Sequence, residues 1–155
     1  MKKNNYSSIE TIINVAIRGG MYILVDDEKR ENEGDLVMST SDTNAGKINF
    51  MAKHGRGLIC LALDKKQTNK LGLSLMPSRN SSRLRTAFTV SIEARRGVTT
   101  GISALDRAKT ILVAINQKSN SKSISTPGHI FPLVARDGGV SVSYTHLTLP
   151  TMLPV

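Results

Sequence analysis

The first apolar pattern in the chain has helical spacing. It starts after Ser7, which has Glu10 three residues later, the arrangement of a capping box. It stops at Gly19-Gly20, a pair that commonly ends a helix. The apolar residues of one helix face fall between these limits: Ile9, Ile12, Ile13, Ala16 and Ile17. The pattern predicts a first helix here.

Short apolar runs predict the strands. Residues 21–25 (MYILV) and 57–63 (GLICLAL) are continuous apolar runs, as in buried strands, and residues 36–38 predict a strand returning from the first. Residues 88–94 alternate apolar and polar positions, which is typical of a half-buried strand. Residues 129–135 also favour a strand, but Pro132 indicates an edge or an irregular position.

Two more helices are predicted, one across residues 43–53 with Asp42 as its cap and one after Ser103 with Asp106 three residues later. The apolar face of the latter is Ala104, Leu105, Ala108, Ile111, Leu112 and Ile115. Residues 64–86 predict a short helix and a loop, and residues 117–127 a loop rich in Ser and Lys. Strands and helices roughly alternate, which predicts an α/β (α+β) sandwich, a mixed sheet with flanking helices.

Composition restricts the class of protein. The chain has 155 residues, about the size of one domain, and has neither a run of roughly 18 apolar residues that would predict a membrane span nor the apolar segment of a signal peptide. The single cysteine, Cys60, excludes an internal disulfide and favours a cytoplasmic location.

Basic residues give a net charge of +9 but are scattered, which indicates a solvated surface able to attract a phosphorylated substrate. With only 4% aromatic residues a nucleic-acid face is disfavoured, although a non-catalytic phosphate- or nucleic-acid-binding module is the alternative.

Half of the acidic residues stand in one short stretch. Residues 26–35 (DDEKRENEGD) contain six of the twelve carboxylates and directly follow a predicted strand. In an extended segment Glu31, Glu33 and Asp35 lie on one side, where they repel one another unless they are solvated, protonated or bound to a cation. An EF-hand is excluded, because Gly34 at loop position six puts Lys29 at position one and Thr40 at position twelve. Mg²⁺ or Mn²⁺ suits the carboxylates better, and a solvated acidic loop is the alternative.

Other residues are candidates for the same site. His129 follows a turn, Thr126-Pro127-Gly128, and is a candidate acid or base if carboxylates lie nearby, whereas alone it is more often structural. The loop of residues 98–101 opens a helix, and its backbone N–H groups suit an anionic ligand. Cys60 lies in an apolar run, which favours a small core residue.

Four segments together resemble one family. They are DDEKRENEGDL, GRGLICLAL, FTVSIEARRGVTTGISALDRAKTI and STPGHIFPLVARDGGV, in this order between about residue 8 and Val140. They closely resemble 3,4-dihydroxy-2-butanone 4-phosphate synthase of riboflavin biosynthesis. The resemblance implies an α/β sandwich, a homodimer, and conversion of D-ribulose 5-phosphate to L-3,4-dihydroxy-2-butanone 4-phosphate and formate with Mg²⁺ or Mn²⁺. The family also occurs fused ahead of a GTP cyclohydrolase II domain, so a bifunctional parent protein is an alternative.

The resemblance also implies roles for individual residues. Arg30 and Glu31 match substrate contacts, and Glu31 also matches a metal ligand. Glu33 and Asp35 match catalytic acids of the acidic loop, Asp35 being a substrate contact as well, and His129 matches a catalytic histidine. Asp26, Cys60 and Thr100 match further residues that line the same site. Of these, Thr100 matches a substrate contact.

The end of the chain departs from the family pattern. Residues 138–155 contain no Asp, Glu, Lys or Arg. After Gly-Gly-Val the family has an Arg-containing segment and then His-Thr-Glu-Ala, whose His is the second metal ligand; here His146 has that offset but Leu147-Thr148-Leu149 follows it. We therefore predict a family domain over residues 1–140 and a non-family tail over 141–155, arising from truncation or a frameshift, with low activity and marginal stability. The alternatives are a native terminal strand and coil, and a His146 that still reaches the metal.

Overall fold

The computed structural model describes residues 6–25, 33–76 and 86–136. The helices are α1 (Ile9–Ile17), α2 (Ala45–Phe50), α3 (Lys65–Lys70) and α4 (Ala104–Ile115). The strands are β1 (Tyr22–Val25), β2 (Gly34–Val37), β3 (Cys60–Leu63), β4 (Ile92–Ala94) and β5 (Ile124–Val134). Strands β1 and β2 form one sheet, and β3, β5 and β4, in that order, form another. The mixed α/β class predicted from the sequence is confirmed.

Helix α1 has the predicted limits but a different cap. The backbone N–H of Thr11 donates to Ser8 Oγ (3.2 Å), so the cap is Ser8 rather than Ser7. After the helix, Gly19 takes a left-handed conformation (φ 71°), as predicted for its C-terminal end. The apolar row of α1 faces solvent instead of a core: Ile9 is 75% exposed and Ile17 is 76% exposed.

Strands β1 and β2 form an antiparallel ribbon that frames the acidic stretch. The register pairs Leu24 with Asp35 and Val25 with Gly34, so the returning strand begins at Gly34, two residues before its predicted start. The prediction that β1 is buried is wrong, because Ile23 is 64% exposed. An apolar run shows only that a strand is suited to burial. Whether the strand is buried depends on which other elements pack against it.

The predicted helix over residues 43–53 is divided. Its cap is Asn44, whose side chain accepts the Lys47 backbone N–H (3.0 Å), whereas Asp42 belongs to a preceding 3₁₀ turn. After α2 the chain widens into a π-helical turn, Met51–Gly55, and Arg56 then takes a left-handed conformation (φ 58°).

Strand β5 is the central strand of the larger sheet, so the edge position, one of the two predicted for Pro132, is wrong, whereas the pairing of β5 with β4 is irregular. It pairs in parallel with β3, with Cys60 opposite Phe131, and antiparallel with β4. The ladder tolerates Pro132 because neighbouring groups maintain it: the Thr89 N–H donates to Pro132 O (2.9 Å), and the Val134 N–H donates to Ala87 O (3.0 Å). The strand also begins at Ile124, inside the predicted loop.

Helix α4 packs on β4 and α2 and covers the core. Its cap is Ser103, as predicted, which accepts the Asp106 N–H (3.0 Å). The predicted apolar face is partly wrong, because Leu105 is 68% exposed and Leu112 is 41% exposed. The side turned inward instead carries small and polar residues, and Thr110 Oγ1 accepts the N–H of Ala94 in β4 (3.0 Å). The buried core cluster includes Ile48, Ile59, Leu61, Leu71, Ile92, Ile111 and Ile130.

Across the described ranges, the helices are too short or too polar to cross a membrane.

Candidate functional site

The Thr-Pro-Gly-His motif forms a four-residue bulge in β5, the central strand of the larger sheet. In the register of β4 and β5, Ile92 pairs with Ile130 while the next residue, Glu93, pairs with Ser125. The motif, residues 126–129, is therefore looped out between these two pairs. A bulge bends its strand and redirects side chains, which is how this one places His129. The Gly128 N–H donates to Ser91 Oγ (3.0 Å) and ties the bulge to the segment before β4.

Close packing of the bulge requires glycine at position 128. A β-carbon there would overlap the backbone carbonyl of Ile92 and the side chain of Glu93. The bulge thus lies directly on β4, and its glycine permits that approach.

His129 contacts a carboxylate that sequence reasoning did not select. Its Nδ1 is in hydrogen-bond contact with Glu93 Oε1. The two side chains are 40% and 19% exposed, respectively, so the pair lies at the edge of the core and remains accessible from one side. This carboxylate–imidazole pair is an arrangement suited to proton transfer.

The loop that carries Thr100 is held beside this pair. Gly101 has φ 85°, and a β-carbon on it would overlap the Glu93 carboxylate, so the two lie in contact. Asp106 Oδ2 accepts three hydrogen bonds from the loop: the Thr99 hydroxyl (2.7 Å), the Thr99 N–H (3.2 Å) and the Gly101 N–H (3.0 Å). These hydrogen bonds hold the pKa of Asp106 below its ordinary value, and the bond from the Thr99 hydroxyl contributes most. Thr100 itself is exposed, which suits a contact with substrate.

Asp35 acts electrostatically on Cys60, at the start of β3. The Cys60 thiol is fully buried, and burial, followed by the negative charge of Asp35, raises its pKa to about 12. The register of the larger sheet places Cys60 opposite Phe131, two residues along β5 from His129. Cys60 thus lies next to β5, which carries His129, and close enough to Asp35 in β2 to be affected by its charge. As a neutral thiol it is a small core residue, the role favoured by its sequence position.

Cys60 is expected to be almost unreactive in the folded protein. The thiolate is the reactive form, and raising the pKa from 9.0 to about 12 lowers its fraction at pH 8 by about 1,000-fold. We expect alkylation with iodoacetamide, followed by mass spectrometry, to be slow at pH 8 and to accelerate only as the pH approaches 12. The same chain in urea should react at once. Rapid labelling of the folded chain at pH 8 would contradict this account.

Only some of the predicted site residues can be placed. Glu33 is exposed just before β2, and Asp35 is half-buried within β2. His129 contacts Glu93, which also lies against Gly101, the residue after Thr100. The negative charge of Asp35 contributes to the raised pKa of Cys60. The other predicted site residues lie outside the described residues: Asp26, Arg30, Glu31 and His146.

Glu93 is the functional candidate that the sequence reasoning missed. It is the single charged residue in the alternating run 88–94, but alternation puts it on the polar side of the strand, where a carboxylate is ordinarily solvated. Its partner is 36 residues away along the chain, and no local pattern indicates that distance.

Known proteins match this chain over most of its length. The family profile described as 3,4-dihydroxy-2-butanone 4-phosphate synthase matches residues 10–149. A synthase of that name from Photobacterium phosphoreum is 50% identical over 140 residues, covering 90% of this chain and 39% of the relative. One from Pseudomonas syringae pv. tomato is 52% identical over 141 residues, covering 91% of this chain and 38% of the relative. The chain thus spans about two fifths of the length of these relatives.

Solved structures agree with the sequence matches. A 3,4-dihydroxy-2-butanone 4-phosphate synthase in complex with two magnesium ions superposes with a TM-score of 0.84 at 36% identity, covering 88% of this chain and 64% of the other. A two-domain synthase from A. baumannii gives a TM-score of 0.80 at 43% identity, covering 86% of this chain and 39% of the other. The profile match, the identity to these relatives and the agreement in fold show that the chain belongs to the 3,4-dihydroxy-2-butanone 4-phosphate synthase family.

Proposed function

We propose that this chain carries the acid/base part of a site that converts D-ribulose 5-phosphate to L-3,4-dihydroxy-2-butanone 4-phosphate and formate, in riboflavin biosynthesis. The observation that supports the proposal most strongly is the His129–Glu93 pair, which lies beside the loop of Thr100 in a chain of this family. Family membership does not favour the alternative, a non-catalytic phosphate- or nucleic-acid-binding module.

The reaction demands several proton transfers. A proton leaves the carbon beside a ketone, a hydroxyl is expelled, the carbon skeleton rearranges and formate is released. We assign His129 as acid or base, Glu33 and Asp35 as the acids that handle protons and hydroxyls, and Arg30 with Thr100 as substrate contacts. Glu31→Ala and Asp35→Asn test the acidic loop, since near-normal formate release by both variants would remove it from the mechanism.

We propose that the site binds a divalent cation, Mg²⁺ or Mn²⁺. Glu31 would be one ligand of this cation and would also contact the substrate. A relative's structure is in complex with two magnesium ions, and carboxylate oxygens are the ligands such ions prefer. Among the described residues no group of three or more His, Cys, Asp or Glu side chains is placed to bind a cation, and Glu31 lies outside them. A bound cation would polarise substrate oxygens as a Lewis acid.

We propose that residues 141–155 are a non-family tail that lowers activity and that the incomplete family domain ends at residue 140; the absence of charged residues from 138 onward supports this boundary, although the family profile extends to residue 149. We expect the 155-residue chain to release formate from ribulose 5-phosphate at well below a hundredth of the rate of the Photobacterium phosphoreum relative, because one carboxylate ligand makes a poor metal site. A chimera that joins residues 1–140 to the remaining sequence of that relative should recover the activity. Ordinary turnover by the 155-residue chain, measured by formate release, would refute the proposed role of the tail.

We propose that the protein is a homodimer in the cytoplasm. The exposed apolar rows of α1 and β1 support self-association, because isolated apolar rows of this kind usually mark a contact surface. Ile13, in the middle of the α1 row, is 52% exposed. We expect Ile13→Glu to shift the protein from dimer to monomer in sedimentation velocity, whereas Asn14→Glu, on a neighbouring exposed position, should leave the dimer intact. A wild-type monomer would exclude the homodimer. The buried free thiol of Cys60 supports the cytoplasmic location.

A further inference from the structure

We infer that Glu93 is a positioning residue for His129, holding its imidazole in the tautomer whose Nε2 is free to accept a proton. The inference rests on the proposed function, which gives His129 an acid/base role. It is carried by the contact between Glu93 Oε1 and His129 Nδ1 and by the packing that fixes both groups.

The contact decides which ring nitrogen carries the proton. A carboxylate has no proton to donate, so Nδ1 must be the donor. In the neutral ring the other nitrogen, Nε2, then has a free lone pair. The His129 side chain is 40% exposed, so the ring is not sealed within the core and its free edge is open to a ligand.

Glu93 is itself held in place by glycines on two sides. A β-carbon on Gly101 would overlap its carboxylate, and one on Gly128 would overlap its Cγ, so both backbones press against the side chain. Its neighbours in β4, Ile92 and Ala94, are 0% and 2% exposed and anchor the strand in the core. The acceptor is therefore set before any ligand arrives, and the imidazole adopts the orientation that the acceptor offers.

A purely stabilising ion pair is the competing explanation. Partly exposed ion pairs contribute little to stability. This pair is held by a bulge and by two closely packed glycines, which a surface ion pair does not require. Both explanations place the proton on Nδ1, but only a positioning role makes kcat depend on Glu93.

The test is the tautomer of His129, measured by ¹⁵N NMR of the imidazole rings in the full 155-residue chain. The chain has three histidines, and His54→Gln and His146→Gln variants assign their signals. We expect His129 to be protonated on Nδ1 when neutral, and Glu93→Leu, which removes the acceptor, to shift the proton towards Nε2. Glu93→Gln keeps an acceptor oxygen and should retain part of the preference. Glu10→Gln, on the exposed first turn of α1, is the matched control and should change nothing.

Kinetics of the chimera separate this inference from the proposed function. Glu93→Leu should lower kcat by roughly 10- to 100-fold, with KM changed less than about threefold, because it disturbs a proton-transfer group rather than substrate binding. Partial recovery by Glu93→Gln would support positioning. An unchanged His129 tautomer in Glu93→Leu overturns the positioning role, whatever the activity. A chimera without activity when Glu93 is present overturns the proposed function instead, and the tautomer then decides the positioning role alone.

Discussion

His129→Gln is expected to lower formate release by the chimera by about 10² to 10⁴-fold, the usual contribution of a general acid or base. Glutamine keeps a polar side chain of similar reach but cannot exchange a proton near neutral pH. The loss should appear mainly in kcat, because the assigned role is proton transfer. The assay is formate release at saturating ribulose 5-phosphate.

A second histidine provides the matched control. His54 lies on the exposed π-helical turn with its ring 4.5 Å from that of Phe50, centroid to centroid. We expect His54→Gln to retain essentially full activity. Equal activity of the His129 and His54 variants would remove His129 from the mechanism, and the assignment of the Thr-Pro-Gly-His bulge as a catalytic element would fall with it.

Gly128→Ala is expected to be the most destabilising single methyl addition in the described part of the larger sheet. The new carbon would overlap the Ile92 carbonyl, and the β4 backbone cannot move aside without disturbing its pairing with β5. Overpacking of this kind costs roughly 1–3 kcal/mol, and the backbone position of Ile92 puts the cost near the upper end. Urea unfolding of the 155-residue chain measures the loss.

The comparison for this variant is another Gly→Ala change. Gly46 lies in α2, and a β-carbon there would come no closer than 3.3 Å, to the side-chain oxygen of Asn44. Alanine in a helix is favoured over glycine by about 0.5–1 kcal/mol, so Gly46→Ala should leave stability unchanged or slightly raised. If Gly128→Ala proves as mild as Gly46→Ala, the close approach of the bulge to β4 is wrong.

Local patterns predicted the beginnings and ends of helices well. The Ser103 cap with Asp106, and the Gly19 end of α1, were read correctly because both depend on residues within one turn. The Ser7 cap was off by one residue and the Asp42 cap by two, the usual uncertainty at helix boundaries.

Features set by distant parts of the chain could not be predicted in this way. Pro132 indicates an edge or an irregular position, yet β5 is central because β3 and β4 come from other parts of the chain and pair on both sides of it. The exposure of Ile23 in β1 likewise depends on what covers that strand. Glu93 was missed for the same reason, since its importance comes from a histidine 36 residues away. The family resemblance indicated the acidic stretch and His129, and the fold added the surroundings of His129.

The three hydrogen bonds that Asp106 accepts have a consequence for how the Thr100 loop moves. Residues 99 and 100 are exposed, and amide hydrogens in such loops normally exchange with solvent quickly. The Thr99 and Gly101 amides, however, donate to a carboxylate on α4 that is only 3% exposed. Their hydrogen exchange should therefore be slower than the exposure of residues 99 and 100 suggests, because the loop must first break its hydrogen bonds to Asp106.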